Sequence, residues 1–502
     1  MKLYRKLKQK FTGKQRKYYF AAVGIILLAS VLRFYNFQNE WQIWTDQAQF
    51  AILARYSLFN FKLPLLGQFS SAGPFQVGGE WYWFLMIGQA LYPFSFITQW
   101  IWLVFLFIVF VGLIMYLAYK LVSWRFALIV GLLAAVSPAE ISQGYSLANL
   151  SPIPFFTLVA IIFAVRFIRA RRLVDLYILA FICGLAPTFH PQGFALMFLL
   201  LVTFLLGGKP KIGYLLVFPL LLLSWVPVFI ADSQEHFRNT QAMFQYYLHD
   251  QYKVSLDVLG RRWSTYLGLF IPQAWAYIIG GYNLIAYAIM AGVGLLGVLK
   301  LFKHRMVSRE WLLLIITFIL MLIQFRYAHV PLYDSYLLSL HPFILLFTGY
   351  LICVILDSYL WLGLAVLAVI LAGSLFRYVQ DESLTNSTAN QVVKMENFLT
   401  QKYPRQSFAL YDYQDSAVGM SESLSLFLYG DNIISDNGKK IGIAKGVTKG
   451  TPVARYPVIY GKTAQYQLLD LSKISTSQIK NQNWDFINPS AIYHKVEEWF
   501  KN

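Results

Sequence analysis

The chain has 502 residues, of which 58% are apolar and only 13% charged, with a mean hydropathy of +0.52. A water-soluble core cannot use that much apolar surface, so the composition excludes a soluble globular protein and describes a polytopic α-helical membrane protein. The formal charge of +18 does not indicate nucleic acid, because Lys and Arg fall at the ends of hydrophobic runs, where they set membrane orientation.

The first seventeen residues carry eight Lys and Arg, which places the N-terminus on the cytoplasmic side. A span from about Tyr18 to Arg33 follows and, lacking a small-residue cleavage site, reads as a retained anchor. The outer loop from Phe34 to Trp81 holds only Arg55 and Lys62 as cations. Within it a helix is predicted to begin at Thr45 or Asp46, with Phe50, Leu53 and Ala54 on one face. A Gly-rich turn, Ser71 to Trp83, then leads into an aromatic stretch. The apolar run Trp81 to Ile97 would reverse every later loop if it crossed, so it reads as a re-entrant or interface-lying helix.

Further spans are predicted near residues 99–119, 126–143, 152–168, 174–189, 193–207, 213–230, 277–299, 311–325, 338–356 and 360–376. They give about eleven crossings in all. This count puts the basic clusters at Lys120 with Arg125, Arg166 to Arg172, Lys209 with Lys211, and Lys300 to Arg309 on the cytoplasmic side. A second outer excursion, Ala231 to Tyr277, is polar and aromatic, with Trp263 and Trp275 suited to the interface. From about Arg377 polar residues become common, and strand-like runs such as Phe408 to Tyr411 and Tyr456 to Tyr460 alternate with helix-like ones. The expected organisation is a membrane domain over 1–376 and an outer soluble α/β domain over 377–502. Cys183 and Cys353 both lie in apolar segments and imply no disulfide framework. The Asn386-Ser387-Thr388 sequon carries no weight.

Asp46 stands at the head of a juxtamembrane helix on the outer side, where an acid commonly caps the helix or offsets its dipole. The Gly-rich turn that follows in the same loop lets backbone approach a ligand closely, and Glu80 stands beside Gly78-Gly79 at its end. Arg326, at the outer end of a span, reads either as an interfacial anchor or as a phosphate ligand. His190 and Gln192 flank Pro191 at the outer end of another span. Arg261 and Arg262 lie on the long second loop, and His341 reads as packing.

The order of these features resembles the lipid-sugar-dependent glycosyltransferases of the C superfamily, and within it the family 39 group of protein O-mannosyltransferases and lipid A aminoarabinose transferases. The features are the basic tail, first span, outer loop with Asp46, Gly-Pro turn and Trp81-Tyr82-Trp83-Phe84. Ser137-Pro138, Arg326 and Tyr336-Leu337-Leu338-Ser339-Leu340-His341-Pro342 add to the match, which covers approximately residues 18 to 376.

The resemblance implies a hexosyl- or pentosyltransferase that moves a sugar from a polyprenyl-phosphate donor to an acceptor hydroxyl, with inversion and with Asp46 as general base. Arg326, Tyr336, Arg261 and Arg262 would bind the donor phosphate. Glu80, His190, Gln192 and Gln47 would contact acceptor or sugar. The implied partners are a polyprenyl-phosphate-linked sugar, membrane lipid, and a protein, glycolipid or polysaccharide acceptor. The implied location is a bacterial inner membrane, with the N-terminus cytoplasmic and the C-terminal domain extracytoplasmic.

Relatives carry Asp-Glu where this chain has Asp46-Gln47. A divalent ion wants more than one carboxylate, so no metal is assigned, although Glu80 and Glu140 are further acids of the region. The rival reading is a lipid or glycan transporter or flippase without transferase chemistry. It calls for acids or Arg near the middle of several spans and an internal repeat, whereas the polar residues here collect at the outer face.

Overall fold

A computed structural model describes residues 13–35, 37, 45–70, 75–92, 95–208, 212–249, 263–302, 308–327, 334–383, 389–414, 418–430, 433–445, 452–461 and 466–487. Trp41 to Trp44, Ser71 to Pro74, Lys209 with Lys211, Arg261, Arg262 and the Asn386-Ser387 sequon lie outside the described residues. Helix α1 (Gly13–Phe34) leads to the first loop. The loop holds α2 (Thr45–Phe59), a hairpin of β1 (Leu66–Phe69) and β2 (Gln76–Gly78), and α3 (Glu80–Leu91). At 12 residues α3 is about 18 Å long, too short to cross the roughly 30 Å of hydrocarbon. It packs on α2 instead, as the sequence predicts for an interface-lying helix.

The bundle continues with α4 (Ile97–Leu121), α5 (Trp124–Val136), α6 (Pro138–Tyr145), α7 (Ile153–Ala170), α8 (Leu173–Phe189) and α9 (Leu196–Leu206). Then come α10 (Val217–Leu223), α11 (Val226–Gln234), α12 (Arg238–His249), α13 (Ile271–Ile278), α14 (Asn283–Phe302), α15 (Arg309–Arg326), α16 (His341–Ser358) and α17 (Leu360–Ser383). Among the described residues five helices are long and apolar enough to cross a membrane, or eight if each of three bent pairs is one span. The remaining three predicted spans fall on α8, on Pro191–Leu206 and on α15, so every predicted segment lies on a helix or a bent pair.

The bend between α5 and α6 has a local cause. Pro138 at the start of α6 carries no N–H, and Ser137 before it is driven to extended ψ 118, capping Glu140 N through its hydroxyl. Ala134 O therefore loses its partner four residues on. Arg33, fully buried at the end of α1, replaces it, donating Nη2 to Ala134 O at 3.3 Å and Nη1 to Ala135 O at 3.1 Å. One turn into α6, Glu140 Oε1 pairs with His341 Nδ1 at 2.8 Å, both side chains buried, and Arg33 adds an electrostatic interaction with Glu140. Arg33, read as a span boundary, and His341, read as packing, thus belong to one buried polar knot joining α1, α6 and α16.

The contacts fix which helix ends lie together. Tyr18 and Tyr19 of α1 pack on Trp124 at one end, and there Arg125 pairs with Asp357, Arg169 with Glu310, and Arg166 with Asp175. At the other end, which carries the first loop, the Tyr145 and Tyr378 hydroxyls donate to Leu32 O. Lys120, Arg125, Arg166, Arg169, Arg172 and Arg309 all gather at the end where α1 begins.

Beyond α17, helices α18 (Ala389–Lys402), α19 (Val418–Gly430) and α20 (Thr476–Lys480) accompany a five-stranded mixed sheet. Its strands are β3 (Phe408–Tyr413), β4 (Lys439–Lys445), β5 (Val458–Tyr460), β6 (Tyr466–Asp470) and β7 (Trp484–Phe486), in the order β5-β6-β4-β3-β7, with only β3 and β4 parallel. Strand alternation divides the sheet between two cores. Ala409, Tyr411 and Ala444 face Trp484 and Tyr456, whereas Phe408, Leu410, Ile441 and Ile443 join a core that contains Phe50, Trp81 and Trp100. Phe427 packs on Phe96 at 4.9 Å, and the Arg55 guanidinium lies over the Phe96 ring at 4.6 Å. The tail is therefore built into the first loop through a shared apolar core.

Candidate active site

Asp46 occupies the first turn of α2 and is exposed. Its neighbour Gln47 donates Nε2 to Ser146 O at 3.2 Å, tying the head of α2 to the end of α6. Phe50, one turn on, makes edge contacts with Trp81 and Tyr82 of α3. Desolvation by the packed protein raises the Asp46 carboxyl above its ordinary value. The buried Tyr82 hydroxyl is raised too, by burial first and then by the charge of Asp46. Asp46 and the Tyr82 phenol on α3 therefore interact electrostatically, which needs the two helices to pack and has no signal in sequence spacing.

Glu80 is only 4% exposed, and neither carboxyl oxygen has a well-formed hydrogen bond among the described residues. The turn before it explains how the side chain gets there. A Cβ on Gly78 would sit 2.0 Å from Glu80 Oε2 and 2.7 Å from Thr188 Cβ, and one on Gly79 would sit 2.1 Å from Pro64 O. Only glycine at both positions lets the carboxyl fold back against Thr188 of α8. Burial pushes the Glu80 carboxyl up to about 7, partly offset by its own backbone N–H and by Thr188. The Thr188 hydroxyl also donates to Leu185 O at 2.8 Å.

Helix α8 stops at His190, whose extended backbone (ψ 142) is what a residue before proline adopts. Its Nδ1 accepts from Gln192 N at 3.3 Å, and desolvation pushes its pKa down to about 4. It is thus a neutral imidazole near pH 7 and supplies no positive charge. Asn149 Nδ2 donates to Phe189 O at 2.9 Å, and Phe189 meets Trp81 edge-on. These bonds hold the His190 corner against α3 and the α6–α7 turn. Asp46, Gln47, Glu80, His190 and Gln192, distant in sequence, therefore collect at the loop end of the bundle.

The second excursion also reaches this end. Asn239 of α12 exchanges hydrogen bonds with Gln76 of β2, accepting from its N–H at 2.7 Å and donating to its carbonyl at 3.1 Å. Asp232 in turn accepts from the N–H groups of Asn239 and Thr240. Arg326, at the end of α15, is fully buried, its guanidinium 4.9 Å from the Trp263 ring and 5.3 Å from that of Tyr327. The anchor reading, in which it reaches out to headgroups, is thereby corrected: the charge lies against two adjacent aromatic rings inside the protein. Tyr336 lies on the short helical segment Asp334–Leu340, whose neighbours include the Pro191–Ala195 turn. Arg261 and Arg262 fall outside the described residues.

Glu140 is not available to a ligand, because His341 and Arg33 enclose it. Among the described residues no group of three or more His, Cys, Asp and Glu is arranged to hold a metal ion.

The architecture is that of a polytopic helical membrane protein, and its fold is shared with two solved proteins. ArnT from Cupriavidus metallidurans in the apo state superposes with a TM-score of 0.57 at 14% identity, over 90% of this chain and 98% of that one. The same protein bound to undecaprenyl phosphate gives 0.56 at 13% over 90% and 98%. The archaeal oligosaccharyltransferase AglB from Archaeoglobus fulgidus, in complex with an inhibitory peptide and a dolichol-phosphate, gives 0.52 at 12% over 86% and 70%. No family model matches the sequence, and no curated protein matches it.

Proposed function

We propose that the protein is an inverting glycosyltransferase that moves a hexose or pentose from a polyprenyl-phosphate donor to an acceptor hydroxyl at the loop end of the bundle. The observation that carries this reading is an exposed, partly desolvated acid, Asp46, at the mouth of a chain that shares its fold with ArnT and AglB. Structures of those two proteins hold undecaprenyl phosphate and a dolichol-phosphate respectively.

Asp46 accepts the proton of the acceptor hydroxyl as its oxygen bonds to the anomeric carbon. The bond from that carbon to the phosphate oxygen breaks, and the electron pair leaves with polyprenyl phosphate. A carboxyl raised toward the working pH is a better base than an ordinary one. The departing phosphate needs positive charge rather than a strong acid, and Arg326, already desolvated against two rings, provides it, with Tyr336 as a second phosphate ligand. Glu80, His190, Gln192 and Gln47 line the sugar and acceptor side. The end bearing Lys120, Arg125 and Arg166 to Arg172 is cytoplasmic, which puts the site and the C-terminal domain outside a bacterial inner membrane.

The test is release of free polyprenyl phosphate from a panel of labelled polyprenyl-phosphate sugars by purified wild type and by Asp46→Asn at equal folding. Loss of a general base lowers the rate by about 10²–10⁴-fold. Release that is unchanged in Asp46→Asn rejects the base assignment. No release from any donor, combined with lipid movement across vesicles, moves the reading to a transporter.

A further inference from the structure

At the end of the bundle opposite the candidate active site, α4, α7 and α8 line an open cavity of about 370 Å³, within the ~300–1,000 Å³ of small-molecule sites. Its polar lining is Lys120, Arg166, Arg169, Arg172 and Asp175. Two of the cations are already neutralised. Arg166 Nε lies 2.9 Å from the buried Asp175 carboxylate, and Arg169 pairs with Glu310 while its Nη1 donates to Lys120 O. The other two are not. Lys120 lies over the rings of Tyr116 and Tyr119, and among the described residues neither it nor Arg172 has an ion pair. The cavity thus carries two uncompensated positive charges with exposed heads.

Its surroundings are apolar. Ile101, Phe105, Val109 and Tyr116 are exposed on α4, spaced so that they lie within one arc of the helix that ends at Lys120, and Val174 and Phe181 are exposed on α8. A free anion has no use for such a stripe, whereas a molecule with an anionic head and acyl tails covers both features at once. Basic pockets between helix ends at the cytoplasmic surface take lipid phosphates on these grounds.

We propose that this cavity binds the headgroup of an anionic phospholipid, its phosphate held by Lys120 and Arg172 and its chains lying along the α4 stripe. Arg166 and Arg169 hold the cavity open by fixing α8 and α15 to α7.

The experiment is lipid retention by the purified full-length protein, equilibrated with equal phosphatidylglycerol and phosphatidylcholine, measured by native mass spectrometry with and without excess inorganic phosphate. Wild type retains phosphatidylglycerol preferentially, and Lys120→Gln with Arg172→Gln reduces that retention by roughly fivefold per charge removed. A control pair on the C-terminal domain, Lys402→Gln with Lys445→Gln, leaves it unchanged. The two single variants, each confirmed monodisperse, keep the comparison readable should the double variant misfold. Equal retention of the two lipids by wild type, or undiminished retention by the single and double variants, overturns the site. Displacement of the lipid by inorganic phosphate at matching concentration also overturns it, marking a pocket for soluble anions. The readout does not depend on transferase activity.

Discussion

Two acids of the same type, 60 residues apart in sequence, meet opposite fates. Glu140 is buried with a partner: His341 at 2.8 Å, with Arg33 behind it. Glu80 is buried without one, folded over Gly78 beside a Thr188 hydroxyl whose proton is already committed. Glu140 has one oxygen paired, to His341, while its Oε2 has no hydrogen-bond partner among the described residues; Glu80 has neither oxygen paired, and buried acids left unpaired concentrate at functional sites. The contrast separates a helix-joining acid from one beside the candidate site, on the same side of the bundle.

The largest effect that would break this contrast is at Glu140. Glu140→Ala leaves His341 without its carboxylate and Arg33 without its counter-charge, a loss on the order of 3–5 kcal/mol. A collapse in the yield of monodisperse protein is expected, with no residual transferase specific to the variant. A well-folded Glu140→Ala that is selectively inactive would instead move Glu140 into the chemistry. Gly78→Ala comes next. Its Cβ collides with Glu80 and Thr188, so the carboxyl must leave its corner, with a cost of about 1–3 kcal/mol. Polyprenyl-phosphate release should fall at least about tenfold, in proportion to the Asp46→Asn scale.

Glu80→Gln sharpens the comparison through pH. The folded chain holds the Glu80 proton up to about 7, whereas an unfolded chain releases it near 4.5. Between those values the folded state binds more protons, so stability falls as pH rises, by at most about 1.4 kcal/mol per unit. The wild-type melting temperature is expected to drop from pH 5 to pH 7.5, and the Glu80→Gln profile to be flatter. Identical profiles would show that Glu80 is ionised throughout. The smallest effect is at the tail: Phe427→Ala removes the ring that packs on Phe96. It should loosen the C-terminal domain by about 3 kcal/mol or less, seen as faster proteolysis after α17 with the bundle intact.

Much of this arrangement is legible in the sequence. Hydrophobic run length and the placement of Lys and Arg define the helical segments and their alternation, because each crossing has to bury its own backbone polar groups and the charges stay at the ends. The breaks at Ser137-Pro138 and His190-Pro191 are equally local, since proline removes a donor and constrains its predecessor. Asp46 was visible as an acid opening a loop helix, and Gly78-Gly79 as a turn. What the residues do to one another is not local. Spacing gives no hint that Arg33 fills the carbonyls that Pro138 leaves bare. The same holds for Glu140 closing onto His341, for the charge of Asp46 acting on Tyr82, and for the burial of Arg326 against two rings.

The division has a physical reason. Secondary structure and membrane side follow from the solvation of short stretches, a property each stretch carries with it. Whether an acid is paired, orphaned or exposed depends on which helix lies opposite, and only the packed bundle decides that. The sequence by itself determined a polytopic helical chain with basic residues at one set of helix ends and a polar site at the other. The tertiary structure alone decided that Glu140 is a strut, that Glu80 is held unsatisfied beside Thr188, and that the C-terminal sheet shares its core with the loop that carries Asp46.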